Sequence, residues 1–343
     1  MRKLFVLTLI LLTNNLFAQL GQWDEGVEGA IDAAYRKFFK TYRVAEQIMT
    51  LRMPFAQENE RSTLAGAAWQ TVERGKGNAE AIWMIADEAL SGNDFINYQI
   101  ALNDGREKVI VFDIPASSWT VSYDIFDIAR LKSGRYTQIP HKPHVLVPGT
   151  GISDIDVYNY LYCVAHVGVD CSGFVWRMLS AAADFKGIDL ARRLRYTLGA
   201  ATKDTAAIYA GTSFYSSTSR ELISLEDKIS NLRPADIILF IGPDGKAIHS
   251  MIIQSINRNA GIIRYLQSTD EAPTQDRGVH ESLIYFNPDK PDVSLKDRSV
   301  QWQQKRFPPF PGEMQSDYVD DGARYRAYPE HGGGRVVRIK ALQ

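Results

Sequence analysis

The stretch "VDCSGFVWRML" (Val169 to Leu179) sets a thiol between an acid and an apolar pattern of helical period. After Cys171, the apolar residues Phe174, Val175, Met178, Leu179 and Ala182 return at the spacing of one helix face. The spacing predicts a helix that begins at the cysteine. A helix start gathers unpaired N–H groups and about half a positive charge, which favours thiolate over thiol. Cysteines so placed commonly have a lowered pKa, so Cys171 is the candidate nucleophile. Gly173 leaves room above the helix start for a substrate carbonyl, and the Cys171 N–H is a candidate oxyanion donor. Asp170 reads either as the helix N-cap or as a contact for a substrate amine.

A thiol nucleophile needs a base, and the base needs an orienting partner. Downstream lie three strand-like runs, "ADIILFIG" (Ala235 to Gly242), "AIHSMIIQSI" (Ala247 to Ile256) and "IIRYLQST" (Ile262 to Thr269), whose short connecting turns predict antiparallel neighbours. Among six histidines, His249 alone falls within a core-like strand. Pairing across the turn "NRNAG" brings Gln267 within a residue or two of it, so the Gln267 oxygen is the candidate holder of the imidazole.

Four ordered blocks carry a resemblance: "DCSGFV" (Asp170 to Val175), "PADIILF" (Pro234 to Phe240), "AIHSMII" (Ala247 to Ile253) and "LQSTDEAPTQDRGVHESLI" (Leu266 to Ile284). Together they resemble the NlpC family of papain-like cysteine peptidases over roughly Tyr158 to Ile284. The resemblance implies an α+β fold, with the cysteine-bearing helix packed on an antiparallel sheet. It also implies hydrolysis of amide or isopeptide bonds in peptidoglycan stem peptides, with Cys171 as nucleophile, His249 as base and Gln267 as third member. Asp170, Ser172 and an upstream tyrosine are implied at the substrate site; Tyr160 is the candidate, with Tyr158 and Tyr162 beside it. No cofactor or metal is implied. Two alternatives accompany this reading: an inactive cell-envelope binding module on the same fold, and a cysteine amidase or acyltransferase with another substrate.

Outward from this core, the chain opens "MRKLFVLTLILLTNNLFAQL". Two basic residues precede a nine-residue apolar run, Leu4 to Leu12, which is short of the about 20 residues that span a bilayer. The pattern reads as a cleavable export signal over 1–18, and so predicts a periplasmic or extracellular protein. Residues 19–140 form an N-terminal region of unknown role, read as helical from Trp23 to about Leu90 and as strands at "EKVIVFDI" and "SWTVSYDIF". The Pro- and Gly-bearing run "IPHKPHVLVPGTG" (Ile139 to Gly151) is the expected boundary before the hydrolase unit, 150–343. Within that unit "YAGTSFYSSTSR" reads as a loop, the last 60 or so residues as irregular decoration ending in the strand "RVVRIKAL", and Asp320-Asp321 as a solvated turn.

With 39 basic and 40 acidic residues there is no broad positive field to hold nucleic acid. Two cysteines, Cys163 and Cys171, are too few for a disulfide scaffold; either they pair or at least one stays free. His141 and His144 lack metal-ligand spacing, and His166, His280 and His331 read as surface or loop residues.

Overall fold

The computed structural model describes residues 24–44, 47–56, 76–93, 95, 109–113, 118–122, 157–158, 160–165, 167–269, 278–304 and 321–343, with backbone alone at 47, 109–113, 118–122, 163–164 and 304. The expected signal, the boundary run Ile139 to Gly151 and His141, His144 and His166 lie outside the described residues.

The architecture is mixed α+β. Helix α1 (residues 24–36) leads into a hairpin of β1 (Phe39–Val44) and β2 (Gln47–Arg52), followed by α2 (Ala79–Leu90) and a second hairpin, β3 (Val109–Asp113) with β4 (Ser118–Ser122). The first hairpin corrects the helical reading of Trp23 to Leu90. Its residues alternate, with Met49 and Leu51 buried and Ile48 and Thr50 exposed, which is the period of two that marks a half-buried strand. A helix former such as Met49 is carried into a strand by that burial, because packing overrides propensity.

Helix α3 (Cys171–Phe185) starts at the cysteine, as the spacing predicts. Phe174, Val175, Met178, Leu179 and Ala182 are all fully buried, each large side chain contributing about 1.5–3 kcal/mol on leaving water. Three short helices follow, α4 (Leu190–Leu194), α5 (Ala206–Tyr209) and α6 (Thr212–Tyr215). The last corrects the loop reading of "YAGTSFYSSTSR", since Phe214 and Tyr215 turn inward and anchor it.

A seven-stranded antiparallel sheet forms the body of the second half. It comprises β5 (Leu222–Leu225), β6 (Ile237–Ile241), β7 (Ala247–Asn257), β8 (Ile262–Thr269), β9 (Gly278–Tyr285), β10 (Gln301–Gln304) and β11 (Arg335–Ile339), in the order β10-β9-β8-β7-β6-β11-β5. The strand read at "RVVRIKAL" is present as β11, which pairs with both β6 and β5 and so joins the sheet body. Alternation sorts the sheet residues between two cores. Ile237, Leu239, Ile252 and Leu266 pack toward α3; Ile238, Phe240, Met251, Ile253 and Tyr265 pack on the other face with Trp302 and Tyr325.

The N-terminal region shares the first core. Val27, Phe38, Met53 and Ile82 lie in one cluster with Phe174, Leu179 and Leu266. Backbone bonds from Val169 N to Pro54 O and from Val279 N to Met53 O tie residues 53–54 to the approach to Cys171 and to β9. Among the described residues no helix is long and apolar enough to cross a membrane.

Candidate active site

Asp170 is the N-cap of α3, in extended backbone geometry, and its side chain accepts from the Gly173 N–H. A cap of this kind is worth about 1 kcal/mol. The same carboxylate is held by Lys76, a fully buried residue whose Nζ lies 3.3 Å from Asp170 Oδ2 and 2.7 Å from Ser172 Oγ. Ser172 in turn donates to both Asp170 oxygens at 3.2 Å. Asp170 and Ser172 are both buried and turned to the protein; of the two readings of Asp170, the structure takes the cap. Lys76 went unnoticed in the sequence, where a lysine before Gly77-Asn78 reads as solvated. Gly77 explains how it arrives: the residue adopts φ +69°, and a side chain there would collide with the Gly173 carbonyl, so the backbone before α2 presses directly on the start of α3.

Cys171 is a free thiol, so the alternative of a Cys163–Cys171 pair is not realised. It alone keeps partial exposure among Asp170, Cys171, Ser172, His249, Gln267 and His280. Its sulfur meets the sheet at Ser250, whose backbone N–H and hydroxyl both favour the thiolate. Burial outweighs them and, with the negative Asp170 beside it, pushes the thiol up to about 11, against a partial downward pull from Lys76. Cys171 at rest is thus a neutral thiol, not the thiolate expected from its helix position. Desolvation acts on the whole group, whereas the N-terminal charge of α3 is already engaged by Asp170.

His249 Nε2 lies 2.8 Å from Gln267 Oε1. An amide oxygen only accepts, so the hydrogen is on Nε2 and Nδ1 is left bare. Burial, and then the positive Arg324, push the imidazole down to about 3; it is neutral at physiological pH. The His249 ring leans on Phe240, its partner across β6–β7, with ring centroids 5.5 Å apart. His249 and Gln267 therefore share the sheet face away from α3, while Ser250 and the thiol lie on the α3 face. The thiol and the imidazole thus stand on opposite faces of β7, next to the register shift that interrupts its pairing with β6. Among the described residues no hydrogen bond joins them. The structure brings His249 and Gln267 together and brings Cys171 to the residue next to His249.

Behind Gln267 stands a network absent from the sequence reading. Its Nε2 donates to Asp321 Oδ2 at 2.9 Å and faces His280 Nε2 at 3.3 Å and Ser282 Oγ at 3.5 Å. Tyr265 donates to the same Asp321 oxygen at 2.7 Å. Two corrections follow. Asp321 is fully buried at the start of α7 (Asp321–Arg326), not a solvated turn, and His280 is buried on β9 directly opposite Gln267, not a surface residue. The alternation of "GVHESLIY" (Gly278 to Tyr285) was the available signal for His280; nothing local marked Asp321.

Of the aromatic residues, Tyr160 is buried against Phe95, with centroids 4.8 Å apart, and Tyr158 stacks on Tyr162. A different phenol lies near Cys171. Tyr215 is fully buried, its hydroxyl has no hydrogen-bond partner among the described residues, and the negative charge of Asp170, with that of Cys171 once it ionises, raises its pKa after burial does. Among the described residues no cluster of His, Cys, Asp and Glu is arranged to hold a metal. No protein-family model, curated protein or solved structure matches the chain.

Proposed function

We propose that the protein is an exported, papain-like cysteine hydrolase that cleaves an amide or isopeptide bond in a cell-wall peptide. One observation carries the chemistry: the Cys171 thiol meets β7 at Ser250, the residue after His249, whose Nδ1 is bare. The two side chains leave β7 on opposite faces at rest, so proton transfer between them requires β7 to turn at its register shift with β6 when substrate binds. In apo sites catalytic hydrogen bonds are often unmade and form on substrate binding. On attack, the sulfur bonds to the carbonyl carbon, the C=O pair moves to oxygen, and the thiol proton passes to Nδ1. The Cys171 N–H supports the oxyanion. Collapse breaks the C–N bond, and the imidazolium returns its proton to the leaving amine. Water activated by the same nitrogen then releases the acyl group and restores the thiol. A neutral thiol and a neutral imidazole suit this concerted transfer, since neither has to stay charged in a dry site at rest. The choice of a peptidoglycan stem peptide rests on the resemblance of the four sequence blocks to the NlpC family.

The test is the rate of iodoacetamide labelling at Cys171 against pH, in wild type and in His249→Gln, followed by digestion of peptidoglycan fragments with Cys171→Ala as control. The proposal expects labelling near neutrality that is faster than a thiol ionising at about 11 allows, and at least about tenfold slower in His249→Gln. Labelling that follows one high ionisation and ignores His249 would overturn it, and a non-catalytic binding module on the same fold would take its place.

A further inference from the structure

We infer that Asp321 is a positioning residue: its carboxylate fixes which way round the Gln267 amide stands, and through it which nitrogen of His249 is left to accept a proton. The inference rests on the hydrolytic reading for its purpose, though not for its geometry.

A glutamine side chain has two nearly isosteric orientations, and only its partners choose between them. Turned as observed, the Gln267 amide gives one N–H to Asp321 Oδ2 at 2.9 Å and faces His280 Nε2 with the other at 3.3 Å, while Oε1 accepts from His249 at 2.8 Å. His280 suits this role, because its Nδ1 lies 3.2 Å from the Gly278 carbonyl, which can only accept; the hydrogen is on Nδ1 and Nε2 is an acceptor. Turned the other way, Oε1 would face a carboxylate oxygen and an imidazole lone pair, and the N–H groups would point at His249. The imidazole would then have to accept at Nε2 and carry its hydrogen on Nδ1, where no proton could be taken from a thiol. Oδ2 is the accepting oxygen by geometry, since the Tyr265 hydroxyl and the Gln267 amide both donate to it, and Arg324 lies 3.8 Å from the other oxygen. Tyr265, which donates to Oδ2, holds that oxygen in place. The orientation is thus set from α7, which reaches the sheet from more than fifty residues beyond Gln267.

The experiment is ¹⁵N NMR of the imidazole nitrogens of His249 in the full chain at alkaline pH, assigned by their loss in His249→Gln. Wild type should show a protonated Nε2 and a bare Nδ1. Asp321→Asn keeps size and burial but adds a donor, so Gln267 can stand either way; the two His249 nitrogens should then average or exchange character. Exchanging the two groups, in the double variant Asp321→Asn with Gln267→Glu, puts an accept-only carboxylate against His249 and should restore a bare Nδ1. Iodoacetamide labelling of Cys171 should follow the same order, slowed in the single variant in proportion to the share of His249 that loses its bare Nδ1, to a rate between wild type and His249→Gln, and recovered in the double one.

A wild type protonated at Nδ1, or an Asp321→Asn variant with the wild-type tautomer, overturns the inference. If the tautomers behave as expected while labelling ignores His249 altogether, the hydrolytic reading falls and the positioning role of Asp321 stands.

Discussion

Two imidazoles held neutral inside the sheet make the fold sensitive to mild acid. His249 and His280 are both pushed down to about 3 from an ordinary 6.5, in each case first by burial and then by a nearby arginine, Arg324 for His249 and Arg52 for His280. Between those values the unfolded chain takes up protons that the folded chain refuses. Stability from these groups is therefore complete above pH 6.5 and is lost as the pH falls toward 3. Going from about pH 7.5 to about pH 5, each histidine should cost the folded state about 2 kcal/mol, and the pair about 4. Urea unfolding at a series of pH values over that window measures the loss directly. His280→Gln isolates one half, because glutamine can still donate to the Gly278 carbonyl and accept from Gln267 but does not titrate. Its loss over the same window should shrink to about 2 kcal/mol. Glu28 and Asp236, both pushed upward by burial, act with the opposite sign, and the difference between wild type and variant is free of them. A wild type whose stability is flat from neutrality to about pH 5, or a variant that loses as much as wild type, would refute the reasoning.

Two further outcomes follow from the helix start. Tyr215→Phe removes a buried hydroxyl that has no partner among the described residues, so chemical denaturation should show stability unchanged or higher by up to about 1 kcal/mol, where a bonded hydroxyl would show a loss. Lys76→Met takes the cation from a buried carboxylate, and the same assay should show a loss of about 3–5 kcal/mol. Lys76 also draws the Cys171 ionisation downward, so any folded Lys76→Met protein should label more slowly with iodoacetamide at a given pH.

Much of the frame was legible because it is written in local periods. The apolar face after Cys171 and the three runs separated by short turns appear as α3 and β6, β7 and β8. The contact between His249 and Gln267 was within reach for the same reason, since one turn nearly fixes a hairpin register. What the sequence concealed is long in range or collective. Lys76 meets Asp170 across 94 positions, and only the close packing of Gly77 on Gly173 delivers it. Asp321 meets Gln267 from a segment with no regular pattern before it. The face on which His249 emerges is a matter of one residue in a strand of period two, and the shift in register near Phe240 and Ile241 is invisible in composition. The thiol's proton affinity went opposite to its helix position because burial is a property of the finished core.

The place of β11 has a bearing on how the molecule comes into being. Among the described residues, strand β6 closes its outer edge with residues 335–339, almost a hundred positions later, and β5 joins the rest of the sheet through them. Until then the growing chain carries an apolar strand with a raw edge, Ile237 to Ile241, open to pairing with any other chain. Loop closure over such a span is slow compared with hairpin formation, so the pairing of β11 is expected to follow that of β6, β7 and β8 in the order of folding. During that interval a holdase, or a quick exit from the crowd of other nascent chains, decides whether a polypeptide becomes this protein or an aggregate.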